Sequence, residues 1–149
     1  MVDYLTCILE PWIGSVADEP SEDHRCMGVT QIWGEAGESL GLMDLCILYE
    51  SDGLWYQADA DAAISTNGLL GICSHAVNIT DKCYFVLPPA VVRDDTYALT
   101  KGNELYVSLV AGQPATAPPA APDFVRWIGH AISDDAWWFW PENRYEVGA

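Results

Sequence analysis

The sequence predicts an all-β fold: a β-sandwich or β-barrel of short antiparallel strands with an extended N-terminal arm. Three observations lead there. Turn residues recur about every ten positions through residues 28–149. The pieces between them are short, apolar and rich in aromatic and β-branched residues. No long run repeats its apolar residues at the helical period.

Taken in order, residues 1–27 read as an extended arm and residues 28–149 as one β-rich domain. Within the arm, "ADEPSEDHR" is acidic, turn-rich and without apolar period, as a solvated loop would be. "GVTQIWGEAG", "LMDLCILYE" and "GLWYQAD" are strand-like pieces split by Gly, Asp and Ser. "YESDGLWYQ" is the clearest hairpin, turning at Ser51-Asp52-Gly53. "ADADAAISTNG" accommodates a short helix or a loop near 58–65, and Asn67-Gly68 turns into "LLGICSHAVNI". "CYFVLPPAVV" reads as a strand stopped by two prolines. "YALTKGNELYVSLVAG" reads as strand, Lys101-Gly102-Asn103 turn, strand. The proline-rich "QPATAPPAAP" can be neither a helix nor a central strand, so it is an extended crossing on the surface. "DFVRWIGHAI" and "AWWFWPE" form the last hairpin, turned by Ser133-Asp134-Asp135.

That last strand poses a packing problem. A strand covering one core needs large apolar residues at every second position. Here Trp137, Trp138, Phe139 and Trp140 are consecutive. Alternation puts Trp137 and Phe139 on one face and Trp138 and Trp140 on the other. One pair fills the domain's own core. The other needs a second apolar surface: the proline-rich crossing, the N-terminal arm or another subunit. Such rings bury about 150–250 Å² each, so an uncovered pair is a sizeable adhesive patch.

Composition narrows the partners. With 22 Asp and Glu against 6 Lys and Arg, the formal net charge is −16. Such a chain repels nucleic acid, whose binding depends on cations neutralising phosphates. It repels an anionic membrane surface for the same reason. The acidity serves solubility, a saline setting or a basic neighbour. The N-terminus shows no basic export signal, and no run is long enough to span a bilayer. Five cysteines, Cys7, Cys26, Cys46, Cys73 and Cys83, with no CxxC spacing, read as reduced and mostly buried thiols.

No catalytic, cofactor-binding or metal-binding residue is assigned. His24, Cys26, Cys73, His75 and Cys83 are zinc-competent ligands without knuckle spacing. His130, on an apolar strand, reads as a core or interface histidine. Asp59 and Asp61, Asp94-Asp95 and Asp134-Asp135 read as solvated turns, since none carries the glycine and distal glutamate of a calcium loop. No GxSxG, HExxH, P-loop or GxGxxG occurs.

Three stretches carry a resemblance: "GLMDLCILYESDGLWYQADADAAISTNGLLGIC", "GNELYVSLVAGQPATAPP" and "VRWIGHAISDDAWWFWPE", within residues 41–73 and 102–141. They are similar to the β-rich module of capsid decoration, or cement, proteins and related head-fibre segments of tailed viruses. The shared features are a "dG-w-x-x-A" turn, a "G-x-l-Y-v-s" strand, a crossing with prolines and a closing hairpin ending in "f-x-P". The "WWFW" run and Cys73, where a small residue is usual, depart from that pattern. The resemblance implies a non-enzymatic virion structural protein, made in the host cytoplasm and held on the capsid surface. Its partners would be the major capsid protein and itself, as a homotrimer. Trp12, Trp127, Trp137, Trp138, Phe139 and Trp140 are the interface candidates. Two other readings stand beside this one. The first is a head-fibre or tail-associated domain that binds a host surface. The second is an acidic carbohydrate-binding or hydrolytic β-sandwich, in which exposed Trp55, Trp127 or Trp138 would stack on sugar rings.

Overall fold

A computed structural model describes residues 8–10, 20, 22–28, 30–142 and 146–148. Trp12, Cys7 and most of the expected arm lie outside the described residues. The first half holds β1 (Ile8–Glu10), β2 (Arg25–Gly28), β3 (Gln31–Glu35), β4 (Leu45–Leu48), β5 (Trp55–Gln57) and a short helix, α1 (Ala63–Thr66). After it come β6 (Leu69–Cys73), β7 (Lys82–Val86), β8 (Ala90–Arg93), β9 (Glu104–Val107) and β10 (Pro114–Ala115). The chain closes with β11 (Phe124–Val125), β12 (Trp127–Ala131), β13 (Ala136–Phe139) and β14 (Glu146–Val147).

Two sheets pack face to face, as the sequence predicts. A five-stranded antiparallel sheet has the order β3-β7-β6-β4-β5. A seven-stranded sheet has the order β1-β2-β8-β13-β12-β9-β10, antiparallel except for the β1–β2 pair. Strands β11 and β14 form a separate antiparallel pair. Between the sheets lies the main core, with Leu45, Ile47, Leu70, Ile72 and Val86 from one side and Val92, Leu105, Val107, Ile128, Trp137 and Phe139 from the other.

The five-stranded sheet is buried on its back face too. Cys46, Trp55, Cys73, Cys83 and Phe85 form a second core there with Ala36, Leu40 and Val77 from the adjoining loops. Trp55 stacks on Phe85 with centroids 4.1 Å apart. This explains why "LCIL" lacks alternation: a strand covered on both faces needs no polar side. Trp55 is 1% exposed, which removes it from the candidate sugar platforms.

One reading needs correction. Residues 97–100 are not a strand. The Tyr97 and Leu99 amides bond to Asp94 O and Asp134 O, and both side chains reach the main core from a loop. Alternation alone therefore imitated a strand. After the prolines of "CYFVLPPAVV", the chain starts a new strand, β8, in the other sheet. The expected boundary at residues 27 and 28 falls inside β2, where Cys26 is fully buried in the main core.

Helix α1 is a single turn, too short to stand by propensity. Thr66 Oγ1 donates to Ala62 O at 2.6 Å and to Asp59 O at 2.9 Å, while Ser65 Oγ donates to Asp59 O at 2.7 Å. Asp59 in turn accepts the Asp61 amide at 3.1 Å. This acidic pair is thus the turn that starts the helix.

Candidate functional site

Strand β13 lies between β8 and β12, so both of its edges are paired and its two faces lie on opposite sides of the sheet. Trp137 and Phe139 point into the main core, fully buried, with ring centroids 5.2 Å apart. Trp138 and Trp140 point the other way and stack at 6.1 Å with planes 12° apart. Trp138 is half-buried, whereas Trp140 is 55% exposed. The second pair therefore lies on the outward face of the seven-stranded sheet.

Pairing shows what shares that face. Trp138 stands opposite Val91 on β8 and His130 on β12, and Val91 stands opposite Met27 on β2. Met27, Val91 and Ala136 are buried there, with Ile132 and Trp138 packed against them. Further along the sheet Tyr106 and Trp127 meet at 5.8 Å. His130 is exposed on this face, so it is not a core histidine. The register between β12 and β9 shifts at Trp127/Gly129, and there Ile128 turns into the main core. Gly129 makes the shift possible, with φ +153° and the carbonyl of Trp138 where a Cβ would stand.

Trp140 also forms one wall of a groove of about 900 Å³. Leu69, Pro88 and Pro89 line the same groove, with Arg126 among them. Asn67, Gly68 and Leu69 border both this groove and a second hollow beside Ile64. Leu69 and Ile64 are 43% and 47% exposed. The result is an apolar band from Ile64 through Leu69 to Trp140.

Arg126 holds the groove's shape. It is 4% exposed, and its Nη1 donates to Thr66 O at 2.7 Å and to Gly68 O at 2.6 Å. Its Nε donates to Glu142 O at 3.1 Å. One guanidinium thus ties the end of α1 and the start of β6 to the chain beyond β13, and burial lowers its pKa to about 10. Nothing in the sequence marked Arg126 apart from its place in an apolar strand.

The zinc-competent residues separate. Cys26 is in the main core, while Cys73 and Cys83 belong to the back-face core, with sulfurs 3.5 Å apart. Cys73 donates to His75 O at 3.0 Å, and His75 Nδ1 pairs with Ser74 Oγ at 3.1 Å. His24 stands instead beside Asp23 and Asp94. Burial pushes the Cys46 thiol well up, and the hydrogen bond to Cys73, with burial, does the same for Cys83. Thiol titration is expected to find five reactive groups after denaturation, with Cys26, Cys46, Cys73 and Cys83 reacting only then. A count of three or one after denaturation would mean a disulfide.

Asp44 is the buried acid of this half. Its Oδ2 accepts from the Gly41 amide and from Gln57 Nε2, both at 2.7 Å. Burial nonetheless raises its carboxyl above the ordinary 3.8, outweighing those two bonds. A folded-state value above the unfolded one favours the fold when the group is protonated. That contribution is whole below the unfolded value and is lost as pH rises through the folded one. Asp44→Asn is expected to gain on the wild type in urea unfolding at about pH 7 relative to about pH 4. A difference independent of pH would contradict this.

Among the described residues, no helix is long and apolar enough to cross a membrane. Comparison of the chain with protein-family models, curated proteins and solved structures finds no match.

Proposed function

We propose that this protein is a virion structural protein that decorates the outer capsid surface and stabilises the shell without enzymatic activity. In this reading it docks on the major capsid protein as a homotrimer. The observation that carries it is the outward Trp138–Trp140 stack, with Trp140 55% exposed at the rim of the groove. Interface cores are depleted of charge and enriched in Trp and Tyr, and hot spots cluster on such rings. A chain of net charge −16 can carry such a patch and stay soluble while free. Binding the assembled shell better than free subunits shifts assembly by mass action, and three linked copies add avidity.

The test is co-sedimentation with capsids of the virus whose genome carries this chain. The wild type is expected to pellet with the shell and raise its disruption temperature. A monomer that stays in the supernatant would refute the reading. The carbohydrate reading keeps one specific observation. Trp33 and Tyr84, 54% and 44% exposed, meet at 4.4 Å on neighbouring strands as an open aromatic platform. A glycan array on the wild type and on Trp33→Ala separates that reading from the first.

A further inference from the structure

We propose that Asp23, His24 and Asp94 form a surface site for a first-row divalent cation of the zinc class, a binding site separate from the aromatic face. His24 Nε2 lies 3.6 Å from Asp23 Oδ2 and 3.8 Å from Asp94 Oδ1. One ligand atom from each of the three residues lies within 4.8 Å of the others. Both separations exceed a hydrogen bond. They approach the edge of a tetrahedron of ligands around one ion, about 3.4 Å when the bonds are about 2.1 Å.

The carboxylates are fixed by hydrogen bonds from neighbouring residues, Asp23 through the oxygen turned away from the imidazole. Asp23 Oδ1 accepts the amides of His24 at 2.9 Å and Asp95 at 2.8 Å, leaving Oδ2 toward the imidazole. Asp94 Oδ1, the oxygen that faces the imidazole, is itself fixed by the amide and hydroxyl of Thr96 at 2.9 and 2.7 Å. The neighbouring guanidiniums bind other acids: Arg93 bonds Asp95 at 2.7 Å and Arg25 meets Glu22 at 2.8 Å. Two carboxylates around a neutral imidazole sum to two negative charges, which a divalent ion balances. An imidazole nitrogen in the set favours zinc, cobalt or nickel over magnesium and calcium, which prefer oxygen alone. The side chains of His24 and Asp23 are 24% and 31% exposed, so water can complete the coordination.

The site joins the segment before β2 to the loop after β8, two places about seventy residues apart. Binding there staples the two, and the fold forms without it.

The test uses the full chain, stripped with a chelator, kept reduced and titrated with zinc chloride or cobalt chloride. Calorimetry is expected to show one equivalent bound. The melting temperature is expected to rise by about 5–10 °C at a hundredfold excess over the dissociation constant. Cobalt should give a visible absorption band without the thiolate charge-transfer band. His24→Asn suits the left-handed φ of +55° at this position, and Asp94→Asn keeps an acceptor for Thr96. Both are expected to retain the metal-free melting temperature within about 2 °C and to lose at least tenfold in affinity. Cys73→Ser is expected to bind as the wild type does. No heat and no shift with the wild type would overturn the proposal. So would undiminished binding by His24→Asn, or loss of binding in Cys73→Ser.

Discussion

The double variant Trp137→Ala/Phe139→Ala is expected to unfold. Both rings are fully buried at the centre of the main core, and their strand lies between β8 and β12. Truncating a buried Phe or Trp costs about 3–5 kcal/mol, so two such losses reach the whole stability of a typical domain. The matching variant Trp138→Ala/Trp140→Ala removes the outward stack and leaves the core filled. It is expected to keep the far-UV and near-UV circular dichroism of a folded β-protein and to lose assembly and capsid binding. The readouts are circular dichroism with urea titration, and sedimentation velocity. If both variants unfold, or both fold and still assemble, β13 does not divide its work between a core and a contact.

A single substitution sharpens the inner half of this result. Trp137 Nε1 is buried without a hydrogen-bond acceptor among the described residues. An orphan donor of this kind costs about 1–3 kcal/mol. Trp137→Phe removes it while keeping an aromatic ring in place. It is therefore expected to cost far less than Trp137→Ala, which opens the full cavity.

Gly129→Ala is expected to be the most damaging glycine-to-alanine change among the described residues. An ideal Cβ there would lie 1.7 Å from the carbonyl oxygen of Trp138, a backbone atom on the paired strand that no rotamer change can move aside. The φ of +153° adds strain for any L side chain. A loss above about 4 kcal/mol is expected, the range reserved for named structural faults. Gly102→Ala is the control. It also has positive φ, at +91°, but nothing lies within 4 Å of its Cβ position. Its cost should stay near about 1 kcal/mol. Equal losses in the two variants would show that backbone conformation, and not the approach of Trp138, sets the cost.

Much of this architecture was legible in the residues. Gly53 and Gly102, at φ +74° and +91°, sit in the turns their sequences announce. The consecutive aromatics of β13 divide between the main core and the outward face, as alternation required, although the sequence did not say which pair faced inward. That choice follows from register with β8 and β12, which only long-range pairing fixes. Trp55 looked available because its hairpin is short and polar at the turn. The loops carrying Leu40 and Val77 bury it from far along the chain. The Asp23–His24–Asp94 group was illegible for the same reason, since Asp94 reaches it only when β8 lies beside β2. Arg126 resembled an ordinary strand cation until its carbonyl partners came together.

The strand order has a kinetic consequence. All five strands of the smaller sheet come from one continuous stretch, residues 31–86, so that sheet can form as soon as this stretch exists. The larger sheet cannot. Its inner strand β8 needs β2 on one side and β13 on the other, and β13 is made only after β9 and β12. Pairings this far apart in sequence form slowly. During synthesis the smaller sheet would wait with one face uncovered, showing Leu45, Ile47, Leu70 and Ile72 to water. Completion of the larger sheet in the cell then waits for β13, and a chain cut short before residue 136 is expected to aggregate.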